Sequence, residues 1–98
     1  MNINKELFIS ASECLRCIAH PKRLEILTLL SGGSKNVSEI TDSISLSQGS
    51  TSEHLRLMEA KGILSSTREG RKVFYALAMP ELNSILQCVK SKGLKRKI

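Results

Sequence analysis

Residues 46–64 read LSQGSTSEHLRLMEAKGIL, a sequence that predicts one short helix with a capping residue at each end. Ser47 suits the N-cap, because its hydroxyl can accept a hydrogen bond from a free N–H of the first turn. Gly62 suits the position after the helix, where a left-handed backbone closes the last turn. The segment therefore has a defined beginning and a defined end.

The two faces of this helix differ in chemistry. An apolar stripe at helical spacing, formed by Thr51, Leu55 and Met58, anchors the helix to a core. The opposite face is small and hydrogen-bonding, and it consists of Gln48, Gly49, Ser52, Glu53 and Arg56. A helix that enters the major groove and reads base edges needs such a surface, so the pattern favours a DNA-reading helix.

A smaller amphipathic helix precedes this segment. It is predicted from Ser38, as N-cap, to about Ser43, with Ile40 and Ile44 facing inward. A turn of about three residues then leads into the longer helix, and two helices joined in this way form a helix-turn-helix. Two strands follow, over 63–68 and 72–78, and they form a charged hairpin. The turn is expected at 69–70, with a tip that can extend by one residue on either side.

Three further helices complete the predicted fold. The first covers about 3–19 with a broad apolar stripe, and the second runs over 22–31 after Pro21, which suits a first helical position. The last begins at Pro80 and ends near Lys92. The order α-α-α-α-β-β-α predicts a mainly α (α+β) winged helix-turn-helix. We expect one domain over 1–92, followed by a basic, flexible tail over 93–98.

Size, charge and cysteine content limit the function classes. A chain of 98 residues buries only about 60–65% of its unfolded surface, so apolar stripes on both terminal helices favour oligomerisation. The net charge is +6, yet without residues 90–98 the basic residues fall from 15 to ten against nine acidic ones. No apolar run is long enough to span a bilayer and no signal peptide is evident, so we expect a cytoplasmic protein with no membrane partner. Three cysteines in such a protein argue against a disulfide framework.

The sequence resembles the ArsR/SmtB family of transcriptional repressors in three stretches. Residues 18–27, IAHPKRLEIL, resemble the entry into the family's second helix, residues 46–64 its recognition helix, and residues 68–77, REGRKVFYAL, its wing. The resemblance implies a homodimer in which the first and last helices pack across a two-fold axis. The apolar stripes on those helices independently favour the same arrangement.

Candidate DNA-binding residues lie on the predicted recognition helix and on the wing. They are Ser47, Gln48, Ser50, Ser52, Arg56, Arg68, Arg71 and Lys72. Gln48 can pair with adenine in bidentate fashion, whereas Arg56 is placed to reach a phosphate. The wing cations suit phosphates or a narrow minor groove. A solvated surface is the alternative for both groups, and the role of Glu53 is open, because a carboxylate is repelled by phosphates unless it pairs with Arg56 or a cytosine.

The metal and thiol sites that the resemblance implies do not carry over to this chain. The family's thiol pair at the third helix falls on Asn36 and Ser38, and its last-helix zinc ligands fall on Met79 and Glu81, with partners near Lys92 and Lys95. Persulfide-sensing members need a cysteine in the second helix, where this chain has Thr28. No cofactor is therefore assigned through these positions.

Three remaining thiols are candidate sensors. Cys14 and Cys17 are three residues apart, so they share a face of the first helix, and Cys88 lies in the last helix. If the two helices meet in the dimer, the thiols would suit a thiophilic metal or metalloid ion, such as Cd(II) or As(III), or a redox switch. Packing is the alternative, because free cysteine is a common small core residue. His54 is likewise interpreted as a packing residue rather than a sensor.

The leading functional hypothesis is a homodimeric, sequence-specific DNA-binding regulator, a repressor that a small effector releases from a pseudo-palindromic operator in double-stranded DNA. The alternatives are a winged-helix module that binds a protein, and a repressor with a thiol redox switch and no metal response. No enzyme is predicted, because the two histidines are not paired with an acid and a nucleophile at a catalytic spacing.

Overall fold

The computed structural model describes residues 5–92, so the predictions for Ile3 and for the tail over 93–98 lie outside the described residues. The described elements are α1 (Lys5–Ile18), α2 (Pro21–Leu30), β1 (Lys35–Asn36), α3 (Val37–Ile44), α4 (Gln48–Ala60), β2 (Leu64–Glu69), β3 (Lys72–Leu77) and α5 (Leu82–Lys92). The winged helix-turn-helix is confirmed. The sequence-based order lacks one element, the two-residue strand β1.

A three-stranded antiparallel sheet forms the wing, in the order β1-β3-β2. β1 pairs Lys35 with Tyr75, so it joins the hairpin from a position 40 residues earlier in the chain. Glu69 pairs with Lys72, so the hairpin loop is Gly70-Arg71, one residue later than Glu69-Gly70 and within the one-residue extension expected on either side. Gly70 has a φ of 66°, a left-handed conformation that favours glycine.

The N-terminus of α3 differs from the prediction. Its N-cap is Asn36 rather than Ser38, and the Asn36 Oδ1 atom accepts a hydrogen bond of 2.9 Å from the backbone N–H of Glu39. The Glu39 carboxylate accepts in return from the Asn36 N–H, also at 2.9 Å. This capping box satisfies two backbone donors at once, and it joins α3 directly to β1.

Both predicted ends of α4 are confirmed. The Ser47 hydroxyl accepts from the Ser50 N–H at 3.1 Å. Gly62 has a φ of 77°, and the Ile63 N–H donates to the Met58 carbonyl at 3.0 Å, which is the Schellman closure of a helix. The turn between α3 and α4 contains Ser45 in a left-handed conformation, with a φ of 55°.

The core lies beneath α4 and includes residues from every helix and from β2 and β3. Its buried apolar members are Cys17, Ile18, Ile26, Leu27, Leu30, Ile40, Ile44, Leu55, Met58, Ile63, Leu64, Tyr75, Leu82 and Leu86. Thr51 is also fully buried, and its hydroxyl donates to the Ser47 carbonyl at 2.9 Å. Leu24, predicted to be inside, is only half-buried. Within residues 5–92, no helix is long and apolar enough to cross a membrane.

Candidate nucleic-acid interface

The outer face of α4 is open to solvent along most of its length. Ser47, Gln48, Ser50 and Arg56 are exposed, and Ser52 is half-buried. The buried Thr51 and the Ser47 cap hold the first turn in place, so the polar side chains project from a backbone with satisfied hydrogen bonds. The face is therefore accessible and rigidly supported.

A cleft of about 200 Å³ lies where the start of α4, the start of α3 and the wing meet. Its lining includes Gln48 and Ser52 from α4 together with Arg71 and Lys72 from the wing. Two hydrogen-bonding side chains thus share a cavity with two cations. Among residues 5–92, neither cation takes part in an ion pair, so both are available to an anionic partner.

Ser38 also lines this cleft, and the sequence analysis did not include it among the binding residues. Its exposed side chain lies on the first turn of α3. Sequence reasoning used its hydroxyl as the helix cap, a role that Asn36 fills instead. Because the cap is provided elsewhere, the Ser38 hydroxyl is left to face the cleft.

The other predicted binding residues lie outside the cleft. Arg68 is exposed on β2, opposite Val73 of β3, and Arg56 is exposed two turns further along α4. Glu53 is exposed and, within the described part of the chain, makes no ion pair with Arg56. The structure thus gathers four of the predicted residues into one site and leaves the others on the surrounding surface.

A second contact region supports α4 from behind. The Arg23 Nε–H donates to the His54 Nδ1 atom at 3.0 Å, and the Arg23 Nη1 donates to the Cys17 carbonyl at 2.8 Å. The ring of His20 lies with its centroid 4.8 Å from that of His54. Burial lowers the pKa of His54, and the nearby charges of Arg23 and His20 lower it further, while Glu53 opposes them. This packing agrees with the sequence-based interpretation of His54, although sequence reasoning missed both partners.

The three cysteines occupy different environments. Cys17 is buried, with its Sγ atom 3.7 Å from the Arg23 Nη1 donor, Cys14 is half-buried against the core, and Cys88 is exposed on α5. Over residues 5–92, no three His, Cys, Asp or Glu side chains of one protomer are grouped so as to hold a metal ion. Cys14, Cys17 and Cys88 of one protomer are thus not grouped as a three-thiol metal site.

The positions of the family's metal ligands do not fit a metal in this chain. Asn36 and Glu39 form the capping box, and Ser38 offers no thiolate. The first two zinc-ligand positions that the family places at the last helix are occupied by Met79 and Glu81. Neither side chain is the imidazole that zinc favours there.

An apolar surface lies on the two terminal helices. On α1 the exposed apolar side chains include Phe8, Ile9 and Leu15, and on α5 Ile85 is 41% exposed. Its neighbour Leu86 is 1% exposed and belongs to the protomer core. Of the two adjacent apolar residues on α5, only Ile85 offers side-chain surface to another subunit.

Comparison with known proteins gives consistent matches. Residues 20–66 match the family model described as bacterial regulatory protein, arsR family. The chain is 34% identical over 82 residues to the HTH-type transcriptional regulator YgaV of Escherichia coli K12, covering 83% of each chain. It is also 34% identical over 82 residues to the repressor SmtB of Mycobacterium tuberculosis. That alignment covers 84% of this chain but only 61% of SmtB.

Solved structures match over the whole fold. The structure of HlyU from Vibrio cholerae superposes with a TM-score of 0.81 at 27% identity, covering 88% of this chain and 94% of that one. The homodimeric winged helix-turn-helix DNA-binding domain of Mb0332 from Mycobacterium bovis has a TM-score of 0.79 at 25% identity, covering 92% and 86%. YgaV is named as a transcriptional regulator and SmtB as a transcriptional repressor, which agrees with the expectation that the chain is not an enzyme.

Proposed function

Because this chain belongs to the ArsR family of bacterial transcriptional regulators, it is a DNA-binding regulator, and we propose that it recognises a pseudo-palindromic operator as a homodimer. The observation that carries the proposal is the cleft in which Gln48 and Ser52 share a cavity with Arg71 and Lys72. Base-reading side chains and phosphate-binding side chains are thereby presented to one partner. Double-stranded DNA offers both base edges and phosphates to one binding surface.

We assign the roles according to reach and chemistry. Gln48, on the exposed first turn of α4, reads a base edge, since glutamine can bond adenine in bidentate fashion. Ser47, Ser50 and Ser52 bond bases or phosphates near it. Arg56, further along the helix, contacts a phosphate, and the cations Arg68, Arg71 and Lys72 bind the backbone beside the wing or in a narrow minor groove.

The dimer is proposed to form through α1 and α5. The exposed apolar side chains of these helices need a cover, and a second copy of the chain provides it with two-fold symmetry. Two recognition helices related in this way read half-sites about one helical turn, roughly 34–36 Å, apart. Operator symmetry then follows from protein symmetry.

A DNA-binding experiment tests the residue assignment. An operator is first selected from random duplexes, and its affinity is measured across a range of salt concentrations. Gln48→Ala should cost about 1–3 kcal/mol and relax the sequence preference at one symmetric position. Arg71→Ala should weaken binding to all sequences alike and flatten the salt dependence, because fewer counterions are released.

Lys61→Ala is the matched control, since Lys61 is an exposed cation at the opposite end of α4. Its salt dependence should equal that of the wild type. Uniform losses for both Gln48→Ala and Arg71→Ala would contradict the assignment of Gln48 to base reading. Failure to select any duplex would instead support the alternative of a protein-binding winged helix.

Release by an effector is a separate part of the proposal, and the cysteines are its candidate sensors. If Cys14, Cys17 and Cys88 act together across the dimer, then arsenite, Cd(II) or peroxide should lower operator affinity, and each Cys→Ser variant should bind DNA but lose that response. If they only pack, none of these agents should change affinity, and Cys14→Ser should destabilise the fold. Titration of each agent against a labelled operator separates the two outcomes.

A further inference from the structure

Two imidazoles and a guanidinium meet behind the recognition helix. His20 precedes α2, Arg23 lies in its first turn, and His54 lies in the middle of α4; we refer to these three residues as the His–Arg cluster. The ring centroids are 4.8 Å apart, and both histidines are half-buried. None of the three belongs to the residues proposed to contact DNA.

The hydrogen bonds of the cluster require neutral imidazoles. His54 Nδ1 accepts from the Arg23 Nε–H, and His20 Nδ1 accepts from the backbone N–H of Lys22 at 3.1 Å, where it caps α2. A guanidinium and a backbone amide can only donate, so each Nδ1 must be unprotonated. Protonation of His54 turns its acceptor into a donor facing Arg23.

The same cluster connects α4 to the rest of the protomer. Arg23 bonds the Cys17 carbonyl at the end of α1 while it bonds His54, so one side chain ties α1, α2 and α4 together. His54 lies two residues beyond Ser52, on the helix that presents the DNA-reading face. Loss of the Arg23–His54 hydrogen bond should therefore change the position of α4 relative to α1 and α2.

We propose that the His–Arg cluster makes operator binding sensitive to pH, so that the neutral cluster holds α4 in the DNA-binding position and its protonation releases it. This inference rests on the proposed DNA-binding function. The charged and titratable groups that act on His54 are Arg23 from α2, His20 from the segment before α2, and Glu53 from α4 itself. Arg23 also lines a surface depression together with Glu13 and Arg16 of α1 and with Lys61 at the end of α4.

The expected direction is opposite to that of simple electrostatics. Additional positive charge on a DNA-binding protein strengthens its attraction to phosphates, so protonated histidines would raise affinity if charge alone mattered. If a neutral His54 holds α4 in the DNA-binding position, the affinity for the operator should instead fall as the pH is lowered. If only the neutral form binds, and the pKa of His54 is at most its usual value of about 6.5, each protomer raises the dissociation constant by at most about tenfold between pH 7.5 and 5.5. The two protomers of the dimer together raise it by at most about a hundredfold.

Asparagine substitutions provide matched controls. The side-chain oxygen of asparagine occupies the place of Nδ1 and accepts hydrogen bonds, but it does not titrate. Asparagine is also a favoured N-cap and has a helix propensity close to that of histidine. His54→Asn and His20→Asn therefore preserve the acceptors of the cluster, whereas His54→Ala removes one of them.

The experiment measures operator affinity at pH 7.5, 6.5 and 5.5 at constant ionic strength, with circular dichroism to establish that each variant is folded. We expect the wild-type dissociation constant to rise by between about twofold and a hundredfold over this range. His54→Asn should bind like the wild type at pH 7.5 and lose the rise, and so should the double variant with His20→Asn. His54→Ala should bind weakly at every pH.

Affinity that is constant, or that increases, as the pH falls would overturn the inference while leaving the DNA-binding proposal intact. An equal pH dependence in wild type and in the double asparagine variant would also overturn it. By contrast, failure of the wild type to bind a selected operator at pH 7.5 would count against the proposed function itself. The two failures are thus distinguishable.

Discussion

Truncation of Ile85 should weaken the proposed dimer without unfolding the protomer. Full burial of an isoleucine side chain contributes about 1.5–3 kcal/mol. Ile85 retains 41% of its exposure in the protomer, so an interface can bury at most about two fifths of that value per subunit. A two-fold interface contains the residue twice, so Ile85→Ala should weaken the free energy of dimerisation by about 1–2 kcal/mol. Since about 1.4 kcal/mol is a factor of ten, the dimer dissociation constant should rise by about five- to thirtyfold.

Sedimentation equilibrium over a range of protein concentrations measures this constant directly. Leu46→Ala is the matched control, because Leu46 is a half-buried apolar residue in the turn between α3 and α4, outside both terminal helices. Its dimer constant should be unchanged. Operator affinity should fall with Ile85→Ala at concentrations near the dimer dissociation constant, since a monomer engages only one half-site.

The adjacent residue provides a contrast. Leu86 is 1% exposed within the protomer, so Leu86→Ala should lower the free energy of unfolding by about 2–5 kcal/mol through loss of core packing. A charged substitution at Leu86 would unfold the protomer and could not report on the interface. An Ile85→Ala protein with an unchanged dimer constant, or a Leu46→Ala protein with an equal loss, would refute the assignment of the α1 and α5 surface to dimerisation.

Three further outcomes are expected. Asn36→Ala should lower the free energy of unfolding by about 1–2 kcal/mol in urea titrations, whereas Asn36→Asp, which keeps the cap, should lose less. Gly70→Ala should cost about 1 kcal/mol, measured by thermal unfolding, because its φ of 66° is unfavourable for residues with a Cβ. The lowered pKa of His54 means that the unfolded chain binds more protons below about pH 6.5, so stability should decrease as the pH falls through that window, and His54→Asn should reduce the decrease.

Local signals explain why the recognition helix was predictable. Ser47 and Gly62 define the ends of α4 through hydrogen bonds that span at most five positions, and such bonds follow from the nearby sequence alone. The start of α3 also has a local signal, because Asn36 and Glu39 have the spacing of a capping box. Ser38, the predicted N-cap, has a hydroxyl that suits the same role, so the sequence offers two candidates two residues apart. A two-residue strand has no periodicity, so β1 could not be recognised before its partner β3 was placed.

Contacts between distant segments account for the rest. The sequence names Gln48 and Arg71 separately, but their common cleft depends on the register of the wing against α4. The contact between His20 and His54 spans 34 positions and has no local signature. On α5, helical spacing marks Ile85 and Leu86 alike as apolar, and only the packed protomer shows which of them faces its own core.

The pairing of β1 with β3 has a consequence for the thermodynamics of association. Lys35 and Asn36 form β1, which pairs with β3 of the hairpin and leads directly into α3. At the other edge of the sheet, Ser66 of β2 donates a hydrogen bond to Glu59 of α4. The wing is thus joined at both of its sides to the helices of the helix-turn-helix, and it does not need to become ordered when DNA arrives. Binding should accordingly lack the large negative heat-capacity change that accompanies coupled folding, and little of the contact energy should be lost to ordering the chain.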